Sequence, residues 1–281
     1  MPPPFGEGHR DVTFQCDSKT PCSPLFQVSK QISRLLHVAA FVVIFVHIVS
    51  AEKYQAPYFI HQCQRSDPDI NQCLQFAANT LVRHFRSGIP ELEVTEVEPI
   101  QIEEIHLALG SGPDGYRAIF RDVEAFGVSN MTVTGVRSNL NSMEFQFQFF
   151  IPHIRARAQY RSSGVLIMVQ ASGGGDYWGE YEGVRAKVYF KARKEEANDL
   201  TYLQVDDIKM DFSVKDIKMG IKSQQDNAII EAALNLFINT NGQELLKEMK
   251  PSIKKHLLVT MRTFINNLFG RVPYEYWIID E

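Results

Sequence analysis

The residues that could do chemistry in this 281-residue chain are dispersed. Gly110-Ser111-Gly112-Pro113-Asp114-Gly115 fits G-x-G-x-x-G, a pattern whose glycines let backbone close on a pyrophosphate at a helix N-terminus. That chemistry needs a helix directly afterwards. Residues 116–123 alternate apolar and polar instead, and Pro113 sits inside the motif, so a hairpin turn is predicted. Gly173-Gly174-Gly175 has no following Lys-Ser/Thr and reads as a turn, not a phosphate loop. His61, His84, His106, His153 and His256 form no H-E-x-x-H, and no G-x-S-x-G elbow occurs. Asp206, Asp207, Asp211 and Asp216 cluster in sequence, as the ligands of a calcium loop do. However, Asp207 and Asp211 share strand parity with Lys209 and Lys215, opposite Ile208, Met210, Phe212 and Val214. That is the pattern of a solvated strand face. No catalytic set, metal site or cofactor is assigned, and the chain is expected not to be an enzyme.

The cysteines carry more information once the N-terminus is read. Arg34 precedes an apolar run over residues 35–49, broken only by His37 and His47, which closes on Val49-Ser50-Ala51. Charge, a short apolar core and small residues at the exit make a secretory signal peptide. The run is shorter than the roughly 20 apolar residues of a spanning helix. Residues 1–51 are expected to be leader and signal, leaving a single domain over 52–281 in an oxidising, extracellular setting. Cys16 and Cys22 leave with the leader. Cys63 and Cys73 remain, an even count that predicts a disulfide. A metal is the competing use, but His61 alone is too few partners. Asn130-Met131-Thr132 is a sequon, so Asn130 is a candidate glycosylation site.

The net charge of −4 offers no basic stripe for nucleic acid and no acidic tail. Neither nucleic acid nor stable membrane insertion is expected, and nothing in the sequence sets an oligomeric state.

The elements that must position these residues follow from period. Asp67-Pro68 reads as N-cap and first-turn proline of a helix of about five turns. Its face carries Ile70, Leu74, Ala77, Leu81 and Phe85, and Gly88 and Pro90 close it. From Val94 to about Ile221 the period is two, interrupted by Gly-, Ser- and Asn-rich turns including Asn198-Asp199, as antiparallel neighbours require. Ile230, Leu234 and Phe237 then mark a helix. After Thr240-Asn241-Gly242 a second stripe runs from Leu245 through Met249, Ile253, Leu257, Met261 and Phe264 to Phe269, with Pro251 inside as a kink or restart. The class is α+β with segregated elements.

Residues 145–160 read FQFQFFIPHIRARAQY. Phe145, Phe147 and Phe149 alternate with glutamines. The apolar set then resumes one position out of phase as Ile154, Ala156, Ala158 and Tyr160. Pro152 sits in the slip, where a bulge or bend belongs. A bent strand with one apolar face belongs to a strongly curved sheet. The final helix, apolar over a wide arc, needs such a wrapper.

Several of these features together resemble the insect takeout and haemolymph juvenile hormone-binding protein family. They are the Cys63…Asp69-Ile70…Cys73 spacing and Ile151-Pro152 followed by alternation to Tyr160. The closing stretch adds Leu236-Phe237, Asn241-Gly242, Leu246, Lys250-Pro251 and Val272-Pro273-Tyr274. With one cysteine pair the chain is closer to the takeout branch. The resemblance implies a long C-terminal helix wrapped by a strongly curved antiparallel sheet, enclosing an apolar tunnel for a small hydrophobic ligand. It also implies secretion into haemolymph or another extracellular fluid, with links to circadian output and juvenile hormone. On that basis sheet parity puts Phe145, Phe147, Ile154, Tyr160, Met210 and Phe212 on the tunnel wall. Tyr181 and Tyr202 are expected to join them, with Trp178 nearby, and the helices to add Phe237, Leu257, Met261 and Phe264.

Overall fold

The computed structural model describes residues 56–280, apart from 111, 113, 114, 167, 168 and 225–227. The expected signal peptide, Cys16 and Cys22 lie outside the described residues. The strands are β1 (Cys63–Gln64), β2 (Ile100–Leu109), β3 (Tyr116–Phe126), β4 (Thr132–Asn139), β5 (Glu144–Ser163), β6 (Val165–Leu166), β7 (Val169–Gln170), β8 (Gly173–Ala197), β9 (Leu200–Ser213), β10 (Asp216–Ser223) and β11 (Ile278–Ile279). The helices are α1 (Ile70–Val82), α2 (Ala228–Thr240) and α3 (Gly242–Arg271).

A seven-stranded sheet runs β10-β8-β5-β3-β2, with β4 also on β5 and β9 also on β8. Every pairing within it is antiparallel. Two long central strands therefore carry two sets of flanking strands. β4 and β9 flank one half, and β3 and β10 flank the other. The break between halves is the phase slip. Ile151 and His153 pair with Val184 and Glu182, and both strands change inward parity between these pairs. Pro152 occupies the slip on β5. On β8 it is Gly183, whose φ of +63° suits glycine. Because both strands slip together, their apolar sets stay matched across the bend, and the sheet curls into a half-barrel around α3.

The sheet would leave long unpaired edges, which are costly to expose. Helix side chains cover them. Asn235 on α2 accepts from Ile221 N at 2.7 Å and donates to Ile221 O at 2.9 Å. Asn239 does the same for Met219. Asn79 on α1 brackets Val133 on β4 in this way, at 2.9 and 3.0 Å. On α3, Asn266 accepts from Val205 N at 2.8 Å and Arg262 donates to Val205 O at 2.9 Å. The asparagines and arginine that interrupt the helical apolar stripes thus act as surrogate strands.

Three predictions need correction. Gly173, Gly174 and Gly175 are the start of β8, not a turn. A Cβ at Gly175 would collide with the carbonyl oxygen of Lys222 on β10, so glycine here permits close strand approach. α1 spans 13 residues and ends at Val82, short of the predicted five turns. Asp67 caps the preceding turn instead, its Oδ1 accepting from Asp69 N at 2.8 Å. Beyond the helix the chain doubles back, with Val97 N donating to Phe85 O at 3.1 Å. The strand read from residue 208 to 221 is divided at Val214 and Lys215 into β9 and β10. By contrast α3 is continuous through Pro251 over 30 residues, a length of about 45 Å. β2 and β3 pair with Leu109 opposite Tyr116, as the strands of a hairpin do; residues 111, 113 and 114 of the predicted turn lie outside the described residues.

Cys63 and Cys73 are disulfide-bonded, with Cα atoms 5.8 Å apart. His61 lies within 4.8 Å of the sulfurs, but their mutual bond leaves no thiolate for a metal. The bond holds β1 to α1, while β1 pairs in parallel with β11. It therefore clasps both ends of the described chain beside the end of α3. No helix among the described residues is long and apolar enough to cross a membrane.

Candidate functional site

A cavity of about 1060 Å³ lies between the concave sheet face, α1 and α3, at the upper end of the roughly 300–1,000 Å³ of ligand pockets. Strand period builds most of its wall. β5 contributes Phe145, Phe147, Phe149 and Ile151 before the slip, then Ile154 and Ala156 after it. β8 contributes Tyr177 and Tyr181, then Val184, Ala186, Val188 and Phe190. Met210 and Phe212 come from β9, and Leu257, Met261 and Phe264 from α3. Phe145, Phe147 and Phe190 stack, with centroids 5.1 and 5.9 Å from Phe190, giving one end a flat aromatic wall.

Nine of the predicted wall residues thus face the cavity: Phe145, Phe147, Ile154, Tyr181, Met210, Phe212, Leu257, Met261 and Phe264. Four do not. Trp178 is 47% exposed, because it alternates with Tyr177 and so takes the convex face. Tyr202 also points away. A register shift between Lys191 and Ala192 inverts β9 parity, so Leu203 and Val205 are inward before it and Ile208 and Met210 after it. Tyr160 has the right parity and is buried, but it does not line this cavity and packs with Tyr116, Ala158 and Ile221. Phe237 packs on that same cluster from α2. No α2 residue is among the described residues that line this cavity. Asn130 is exposed, and its Oδ1 accepts from Arg86 at 3.0 Å.

Sequence reasoning missed Tyr177, the α1 residues Leu74, Ala77 and Leu81, and Phe85 just beyond that helix. Parity would have found Tyr177, two steps from Gly179 and four from Tyr181. The α1 face was visible as an apolar stripe, but nothing in its period said whether it met core or cavity.

Polar groups are few and localised. Tyr177 and Tyr181 hydroxyls meet in a hydrogen bond, and Tyr181 donates onward to Met219 Sδ at 3.5 Å. That leaves the Tyr181 oxygen to accept from Tyr177. Burial pushes both phenols above their ordinary range, Tyr177 the further. Both stay neutral hydrogen-bonding groups in an apolar wall. Glu98 lines another part of the cavity. Burial pushes its carboxyl up, but hydrogen bonds from Ser129 and from the Gly127 backbone outweigh that and hold it below its ordinary range. No Lys or Arg is among the described lining residues. The aspartates form surface pairs instead: Asp211 with Lys250 and Lys254, and Asp207 with Lys209.

The family model for haemolymph juvenile hormone binding protein matches residues 40–279. The chain belongs to this family. Among its relatives is the circadian clock-controlled protein daywake of Drosophila melanogaster, 21% identical over 235 residues, covering 80% of this chain and 88% of that one. The Drosophila yakuba daywake is 22% identical over 212 residues, with 72% and 82% covered. Among solved structures, Takeout 1 of Epiphyas postvittana superposes with a TM-score of 0.69 at 15% identity, over 78% of this chain and all of that one. That likeness shows the fold: a curled antiparallel half-barrel closed by a long C-terminal helix.

Proposed function

We propose that this member of the haemolymph juvenile hormone binding protein family is a secreted, non-catalytic carrier that sequesters a small hydrophobic ligand. The observation that carries the reading is the cavity of about 1060 Å³ with apolar walls from β5, β8, β9, α1 and α3. The alternative, a secreted signalling or interaction protein with a solid core and no ligand, leaves that volume without a role. Transfer of apolar surface from water supplies the driving force. A ligand hiding about 400 Å² would gain about 10 kcal/mol before the cost of association.

The ligand class is terpenoid hormones, fatty acids and similar lipids. The absence of a lining Lys or Arg favours its uncharged members, since a buried carboxylate would lack a counter-charge. With both phenol protons already donated within the protein, the Tyr177–Tyr181 pair suits a ligand hydroxyl, which can donate to a free phenol lone pair. Nine residues of the expected wall, from Phe145 to Phe264 in the chain, are the proposed contacts. Residues 52–281 are the proposed mature domain, exported after cleavage at Ala51, so that secreted material begins at Glu52.

Titration with N-phenyl-1-naphthylamine tests the reading. Saturable binding, displaced by a long-chain alcohol more strongly than by the matching carboxylate at neutral pH, supports it. Absence of saturable binding counts against it.

A further inference from the structure

Most residues of the cavity wall are buried or half-buried. Its exposed lining residues fall on two segments only: residues 93–101, which lead into β2, and residues 259–267 on α3. Val259 is 65% exposed and still borders the cavity, as do Thr260, Thr263 and Thr95. A side chain that is exposed and also lines an internal volume marks a boundary between that volume and solvent. The two segments face each other along one seam.

The seam is also the weakly fastened side of α3. Towards β9 the helix is bonded to strand backbone by Asn266 and Arg262, and its Lys250 and Lys254 reach Asp211. Towards β2 two polar contacts span the gap. His256 Nε2 lies 3.1 Å from Gln101 O at one end. Arg271 pairs with Glu93 at the other. The Glu93 side chain is 76% exposed, and surface pairs of this kind contribute little. Between these ties the facing residues are short and uncharged on the helix side. An opening there would separate few contacts and would leave the β9 side of the helix in place.

We propose that the ligand enters and leaves through this seam, between residues 93–101 and 259–267, and that the Arg271–Glu93 and His256–Gln101 contacts hold it closed. The inference rests on the carrier reading and adds the route and its latch. A latch changes the height of a barrier and leaves the bound state alone, so it moves association and dissociation rates together.

The test is stopped-flow exchange of N-phenyl-1-naphthylamine on the full secreted chain. Arg271→Gln should raise both rate constants by about twofold to fivefold, the range expected of a surface ion pair, with Kd unchanged. Thr263→Trp, placing bulk on the exposed rim, should lower both. Circular dichroism confirms folding of each variant, and the opposite signs guard against a general loss of structure. Saturable binding with both rates unmoved in both variants overturns the seam while sparing the carrier reading. A change in dissociation alone, with Kd moving in step, also overturns it, because the residue would then be touching bound ligand. Absence of saturable binding by the unmodified chain overturns the carrier reading and the seam with it.

Discussion

Ala156 pairs with Gly179 across β5 and β8, and these two small residues leave space for the Tyr177–Tyr181 phenol pair of the cavity lining. Gly179 lies between Tyr177 and Tyr181 on one strand face. A Cβ at Gly179 would sit 2.7 Å from Tyr177 Oη and 2.9 Å from Tyr181 Oη. The missing side chain therefore lets the two hydroxyls meet over the backbone. Gly179→Ala is expected to part them and to lower unfolding stability by about 1–3 kcal/mol, the usual cost of leaving a buried polar group unmatched. Urea denaturation reads this. Unchanged stability would mean the pair forms without the gap.

Ala156→Phe should narrow the cavity, because Ala156 lines it. Probe affinity should fall about tenfold, equivalent to 1.4 kcal/mol, while secretion continues. Ala158 has the same parity but is buried and does not line this cavity. Ala158→Phe should instead cost stability by overpacking, about 1–3 kcal/mol. Equal effects of the two substitutions on probe affinity would contradict this placement of the cavity end.

The disulfide acts on the clasp, not the cavity. Replacing Cys63 and Cys73 by Ser is expected to cost about 2–3 kcal/mol, appropriate to a short closed loop, and to loosen β1 from β11 first. Hydrogen exchange at residues 63–64 and 278–279 should rise before exchange in the sheet. Alkylation of the unreduced protein followed by intact-mass analysis should find Cys63 and Cys73 unmodified.

Glu98 gives the stability a pH dependence of known sign. Its carboxyl is depressed in the folded chain, so its contribution is full above the ordinary carboxylate range. That contribution is lost as pH falls through the folded value. Glu98→Gln should therefore destabilise at neutral pH and matter progressively less in acid. Parallel melting curves for the two proteins, offset equally at neutral pH and in acid, would contradict the depression.

Much of this fold was legible because period two and period 3.6 are strong signals, and Pro152 marked its own bend. The α3 stripe from Leu245 to Phe269 gave both the helix and its need for a wrapper. The failures have common physical causes. Gly173–Gly175 looked like a turn because glycine signals both turns and close strand approach, and only the partner Lys222 decides between them. Tyr202 was misplaced because the extra residue Asp206 on β9, opposite Lys191 and Ala192, inverts parity, and the Asp206-Asp207 doublet that marks it was read only as a solvated face. Trp178 was a failure of reasoning, since its parity opposes Tyr181 with no slip between them. Tyr160 and Phe237 were read on the right faces, but a single strand cannot show where a cavity ends and solid core begins.

The central claim is that the space inside the half-barrel holds a lipid. The most direct measurement is organic extraction of the chain purified from its own secretions, followed by mass spectrometry of the extract. The account predicts about one lipid molecule per chain, uncharged and elongated, as a pocket of this size and lining would select. Purified chain that yields no lipid and also fails to take up N-phenyl-1-naphthylamine saturably would contradict it.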